Sequence, residues 1–305
     1  MIYLFFIFIS SYIFLYYKGK ILYNIKMDYI LVNNKYNILK QIGEGNFGKI
    51  YKGQNIRTNE LVAIKVEPIK NDFKMLKNEA IIYQHLFNTY GMPTLKWFGK
   101  DDKNYYLVIT LLGKSLEYYI NQKGKLSLKV TIQIGVQIIN LLKTIHEKGL
   151  LHRDIKPENF LFGNDDESKQ LYAIDFGLSK TYINYNDNCH ICMQNSNSII
   201  GTPKYVSVNG HKLLELSRRD DLESLGYMLI YIYTGKLKWQ NVDIYKNFEK
   251  SNSLIMKAKL NLEKLYDLPD IFFIFFKYVR KLDFQEMPDY LFLIKTFQDF
   301  LFDLN

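Results

Sequence analysis

Four short stretches, always read in the same order, limit what this chain can become. They are Gly43-Glu44-Gly45-Asn46-Phe47-Gly48, Val62-Ala63-Ile64-Lys65, His152-Arg153-Asp154-Ile155-Lys156-Pro157-Glu158-Asn159 and Asp175-Phe176-Gly177. Any one of them could arise by chance. Together with Glu79 they place a glycine-rich turn, a lysine closing an apolar strand, a carboxylate for that lysine and two further acidic groups in one chain, an order and spacing that chance does not supply.

The turn runs from Ile42 to Lys49 and Ile50. Glycine lets backbone N–H groups approach phosphate oxygens closely. Dinucleotide-binding turns share the spacing but open into a helix, whereas this one continues as the strand-like Ile50-Tyr51-Lys52. Lys65 needs an acidic partner, and Glu79 in the next helical stretch is placed to hold its ammonium against the α- and β-phosphates of ATP. The plainer reading, a lysine snorkelling to solvent, fits poorly with the loop before it. Asp154 can accept the proton of an attacking hydroxyl. Lys156 can neutralise charge on a transferring phosphoryl group. Asn159 offers Mg²⁺ a neutral oxygen, and Asp175 offers a hard anionic one. His152 reads as a packed, structural histidine.

From Asn33 to about Leu112 the pattern is strand-like, with one helical stretch near Phe73 to Phe87. Beyond Gly113 it turns helical. Ser127 is set to cap a helix with apolar positions Val130, Ile134, Ile138, Leu141, Leu142 and Ile145, ended by Gly149. A second helix runs from about Asp221 to Thr234 and closes at Gly235; helices then continue to the C-terminus, broken at Pro269 and Pro288. The expectation is an α+β, two-lobed fold: a β-rich N-lobe over about 33–111 with one main helix, and a larger helical C-lobe over about 114–305. Residues 163–170 read as a solvated polar connector.

Composition adds bounds. At 48% hydrophobic and 16% aromatic the chain can build a large core. Its net charge of +9 favours acidic partners, but the lysines are scattered, with no basic run suited to nucleic acid. Two cysteines, Cys189 and Cys192, exclude a disulfide framework and fall short of a four-ligand zinc site; they read as unpaired loop thiols in a reducing compartment. Residues 1–17 are almost wholly apolar and Lys18, Lys20 and Lys26 follow. Three readings stand for this leader: an extension ahead of a natural start at Met27, a membrane anchor with the rest facing the cytoplasm, or a cleaved targeting segment.

The catalytic-type motifs resemble those of eukaryotic protein kinases, and more narrowly the casein kinase 1 family, over roughly Asn33 to Leu304. The narrower likeness rests on Leu111-Leu112-Gly113-Lys114-Ser115-Leu116-Glu117, His152 to Leu161, Ser217 to Tyr227, Pro288-Asp289-Tyr290, and Ser207-Val208-Asn209 where most kinases carry Ala-Pro-Glu. The resemblance implies a serine/threonine kinase using ATP and Mg²⁺ on acidic protein substrates; a monomer, cytoplasmic and also nuclear, is expected, and with the sequence ending at Asn305 a regulatory tail like those of some relatives is not expected. It implies Ile42, Ala63, Ile109, Leu112 and Leu161 as nucleotide contacts and Asp221 as the buried support of the catalytic loop. The family reads phosphorylated substrates partly through an arginine where this chain has Gln194, and through basic residues where it has Asp243 and Asn247. A weakened preference for such substrates is therefore expected. Arg153 could pair with a phosphorylated Ser196, Ser198 or Thr202; the likeness favours activity without that modification.

Overall fold

The computed structural model describes residues 5–9, 12–17, 20–26, 31–45, 48–69, 75–164, 167–184 and 187–304, the first three stretches by backbone only. The chain divides into two compact units, Met1–Asp72 with Lys96–Leu111, and Phe73–Leu95 with Leu112–Asn305.

In the first unit, β1 (Phe5–Ile9), β2 (Tyr12–Tyr17) and β3 (Lys20–Lys26) pair as an antiparallel sheet. The anchor reading of the leader supposed a spanning helix. A run of Ile, Phe and Tyr suits extended backbone at least as well, since β-branched and aromatic side chains favour it. A second sheet holds six strands in the order β4-β5-β6-β7-β9-β8. They are β4 (Leu31–Val32), β5 (Tyr36–Gly45), β6 (Gly48–Asn55), β7 (Leu61–Pro68), β8 (Leu95–Lys100) and β9 (Asn104–Thr110). One face of this sheet is apolar: Val62 and Ile64 of β7 pack with Val32, Tyr36, Tyr106 and Val108. Because side chains alternate along a strand, residues paired with the others in β7 share the opposite face.

The second unit is helical, as the pattern predicts. α1 spans Met75–His85, α2 Leu116–Lys123 and α3 Leu128–Glu147. The Ser127 hydroxyl accepts the Val130 N–H at 3.4 Å, capping α3, and Gly149 follows its end with φ of 74°. Ile134, Ile138, Leu141, Leu142 and Ile145 are buried, whereas Val130, in the first turn, is 40% exposed. Short strand pairs come next: β10 (Leu150–Leu151) with β13 (Lys180–Thr181), β11 (Phe160–Phe162) with β12 (Leu171–Ala173), and β14 (Ile183–Asn184) with β15 (Cys189–His190). Both cysteines are exposed. The remaining helices are α4 (Val208–His211), α5 (Arg218–Thr234), α6 (Phe248–Leu260), α7 (Leu262–Leu265), α8 (Asp270–Val279) and α9 (Tyr290–Asp303). α5 is buried over most of its length, as a helix surrounded by others must be. It packs on α3 and α8, and α3 packs on α9. Gly226 lets α5 approach α8: a Cβ there would lie 2.6 Å from Phe276 Cζ.

Candidate active site

Within the first unit, strand register gathers the predicted nucleotide contacts. Gly43 pairs with Ile50, Ile50 with Lys65, and Ala63 with Ile109. Gly45 pairs with Gly48. By the period of two, Gly43, Gly45, Gly48, Ile50, Ala63, Lys65 and Ile109 lie on one face, opposite the apolar core. The glycine-rich turn is thus the bend of the β5–β6 hairpin, not the start of a helix. At Gly48 a Cβ would collide with the Val66 carbonyl, so only glycine lets β6 lie this close to β7. Ile42, Glu44 and Lys49 are exposed on the same hairpin, while Asn46 and Phe47 lie outside the described residues.

In the second unit the centre is Asp154, 6% exposed. Its Oδ2 lies 2.5 Å from Lys156 Nζ and its Oδ1 accepts the Thr202 hydroxyl at 2.7 Å. Asn159 Nδ2 donates to the Asp154 carbonyl at 2.9 Å and to Oδ2 at 3.3 Å. With Nδ2 so committed, Asn159 presents its carbonyl oxygen as the atom free to ligate a cation. Burial works against the Lys156 ammonium, yet the adjoining Asp154 outweighs it, with help from Asp175 and Glu158, and raises its pKa.

Asp175 is held beside this group. The Ile174 N–H donates to the Asn159 carbonyl at 2.9 Å, so the chain brings Asp175 next to Asn159. Asp175 has φ of 64°, a left-handed conformation uncommon outside glycine and costly to maintain. Its N–H donates to Tyr83 Oη of α1 at 3.2 Å. Phe176, fully buried, meets the Tyr83 ring edge-on at 5.2 Å. Glu79, one turn earlier in α1, is buried at 2% exposure. Lys65 belongs to the first unit and Glu79 to the second. Leu112 is half-buried at the start of the second unit's main stretch, and Leu161, also half-buried, bridges to Ser115.

A second buried carboxylate shapes the loop. Asp221 accepts the N–H groups of His152 and Arg153, both at 2.8 Å, as the resemblance implies. His146 Nε2 lies 3.0 Å from Asp221, and its Nδ1 lies 2.6 Å from Tyr290 Oη. Burial pushes the His146 pKa down, so the ring is neutral, donating to Asp221 and accepting from Tyr290. Burial also opposes the Asp221 charge, but the bonds from His146 and the Arg153 amide outweigh it and hold its pKa below the usual range. His152 is structural, as read from sequence. Its Nδ1 accepts the Asp154 N–H at 3.3 Å, so its Nε2 donates to the Ile174 carbonyl at 3.1 Å.

Sequence reasoning did not connect Thr202 to Asp154, nor find Glu215. The Glu215 carboxylate receives Lys180 at 2.8 Å and Gln194 at 3.0 Å, with the Arg153 guanidinium at 4.0 Å. Burial raises the Glu215 pKa, but Gln194, Lys180 and Arg153 more than reverse this and lower it.

A glycine-rich β-hairpin and strand lysine in a β-rich unit, with an Asp-Lys-Asn loop and a neighbouring Asp in a helical one, make up the two-lobed α+β protein kinase fold. The chain belongs to the protein kinase family: the profile of the protein kinase domain matches residues 36–295. Protein kinase domains use ATP and Mg²⁺. The donor set fits the metal, with a carboxylate on Asp175 and an amide oxygen on Asn159, both hard oxygen ligands on adjoining backbone. Bound there, Mg²⁺ would offset phosphate charge; the residues that hold it would be Asn159 and Asp175.

Proposed function

We propose that this protein is a serine/threonine protein kinase resembling casein kinase 1, moving the γ-phosphate of ATP to hydroxyls of acidic protein substrates. The observation that carries the reading is the Asp154 carboxylate, clasped by Lys156 on one oxygen and Thr202 on the other. A substrate hydroxyl directed at this carboxylate can pass it a proton as the oxygen attacks phosphorus. The Lys156 ammonium beside it is placed to offset charge on the phosphoryl oxygens, and it supports the serine/threonine assignment. In the first unit, Lys65 and the hairpin glycines share the face suited to the nucleotide phosphates.

The weakened reading of phosphorylated substrates also has support. Gln194 gives its amide to Glu215, Asn247 caps α6 by accepting the Lys250 N–H at 3.1 Å, and Asp243 accepts the Tyr245 N–H at 3.0 Å. None of the three offers a positive charge to a phosphate. Activity without activation-segment phosphorylation is supported by Glu215, whose carboxylate already answers the basic pair Arg153 and Lys180.

The test is phosphate transfer from labelled ATP with Mg²⁺ to an acidic, serine-rich protein such as casein, beside the Asp154→Asn variant. Turnover of ~1–100 per second is expected for a good substrate, falling about 10²- to 10⁴-fold in the variant. Label on serine and threonine supports the assignment, and label on tyrosine alone would sink it. A phosphorylated peptide and its plain counterpart should show similar kcat/KM; a large preference for the former overturns the weakened-recognition reading.

A further inference from the structure

Lys259 in α6 is 0% exposed, which lysines almost never are unless fully paired. Its Nζ donates to the Val206 carbonyl at 2.5 Å, the Pro203 carbonyl at 3.0 Å and His211 Nε2 at 2.9 Å. Burial pushes the Lys259 pKa well down, but the three acceptors around Nζ match the three protons of an ammonium and favour the charged form. His211 can accept because its Nδ1 lies 2.5 Å from Asn252 Oδ1, which has no proton to give, so the ring hydrogen sits on Nδ1. The rings of Tyr227 and Trp239 face the ammonium at 4.7 and 5.6 Å. Trp239 also donates its indole N–H to the Lys204 carbonyl at 2.8 Å. The carbonyls of Pro203, Lys204 and Val206 are thus all fastened to buried side chains.

The same segment reaches Asp154 from its other end. Gly201, with φ of 93°, passes so close to the Arg153 carbonyl that a Cβ would collide with it. The next residue is Thr202, whose hydroxyl donates to Asp154, and whose carbonyl accepts the N–H groups of Tyr205 and Val206 at 2.8 and 3.0 Å. One tight turn therefore joins the buried ammonium to the carboxylate.

We propose that Lys259 is a positioning residue for phosphoryl transfer: it fixes the main chain of 201–206, and through it the Thr202 hydroxyl and the seat of the substrate peptide, against Asp154. This rests on the reading of Asp154 as the base. Without the ammonium, two buried carbonyls and a ring nitrogen lose their donor. The turn must then open toward water, and small displacements at a reacting centre cost much rate.

Lys259→Met in the full chain keeps the length and removes the charge. Peptide kcat/KM is expected to fall about 10- to 100-fold while the KM for ATP stays unchanged. Hydrogen exchange at the Tyr205 and Val206 amides should quicken, with exchange in α3 unaltered. Wild-type peptide kinetics in a folded K259M protein overturn the proposal, as does an equal loss of ATP binding. Should K259M fail to fold, Trp239→Phe deletes the N–H to Lys204 and trims the ring beside the ammonium while leaving Lys259 in place; it is expected to raise the peptide KM, and an unchanged value overturns the proposal. If the wild-type protein phosphorylates no peptide, the kinase reading is what fails. Exchange at Tyr205 and Val206 still decides on the anchor: protection unchanged in the variant, K259M or else W239F, refutes it.

Discussion

Lys156, Thr202 and Asn159 all converge on the carboxylate of Asp154. Two of these were legible from sequence because they lie within five residues of it; Thr202 is 48 residues away, and nothing in local pattern links the two. Thr202→Val keeps the shape and removes the hydrogen bond. A bond to a charged group contributes ~1.5–3 kcal/mol, so kcat should fall about 10-fold or more, measured against the Thr202→Ser variant, which should retain activity. Titration offers a second prediction. Burial first, and the Lys259 ammonium next, push the His211 pKa from 6.5 down to about 3. Between those values the unfolded chain binds a proton that the folded one refuses, so the neutral ring's contribution is full above about 6.5 and is lost as pH falls toward 3. The stability difference between wild type and His211→Gln should shrink as pH is lowered from 7 to 4, followed by melting temperature; a constant difference would count against the buried neutral imidazole.

Among the elements, α3 and α5 were the easiest to read. Apolar spacing, a serine cap and a closing glycine agree for α3, a glycine likewise closes α5, and the observed bounds differ from expectation only by a turn at the start of α5. The paired strands β10 and β13 have two residues each, too few for any period to show. The leader was hard to read for a different reason: an unbroken apolar run carries no period that tells strand from helix, and composition alone has to arbitrate. The crossing of α5 and α8 at Gly226 could not be seen in sequence, because its cause is the Phe276 ring on another helix. Gly226→Ala should therefore cost ~1–3 kcal/mol by overpacking, despite alanine's better helix propensity, read from the midpoint of denaturant unfolding. A stabilised variant would show that the two helices have room to spare.

For the whole molecule, the helical stretch near Phe73 was assigned to the β-rich unit, whereas Phe73–Leu95 groups with the helical one; the two units themselves were anticipated from the order of motifs. The contacts that tie distant segments together, such as Glu215 to Lys180 across 35 positions, were not, since charge pairing leaves no trace in a single sequence. The protein kinase match begins at residue 36, beyond the leader. A protein starting at Met27 should therefore transfer phosphate with the kcat/KM of the full chain; a loss of activity in a folded truncation would assign the leader a part in the chemistry. The net charge of +9 should favour encounter with acidic substrates at low salt. Their kcat/KM is expected to fall as ionic strength rises, more steeply than that of a neutral peptide of equal length.

Glu215 carries one more consequence. A phosphate that organises an activation segment arrives late and can be hydrolysed away, so such a kinase has a clock and an eraser. A carboxylate written into the chain is in place when synthesis ends, and no phosphatase removes it. If Glu215 answers Arg153 and Lys180 in place of that phosphate, as proposed above, control over the enzyme would pass to how much of it is made and destroyed, and to which substrates are brought within its reach.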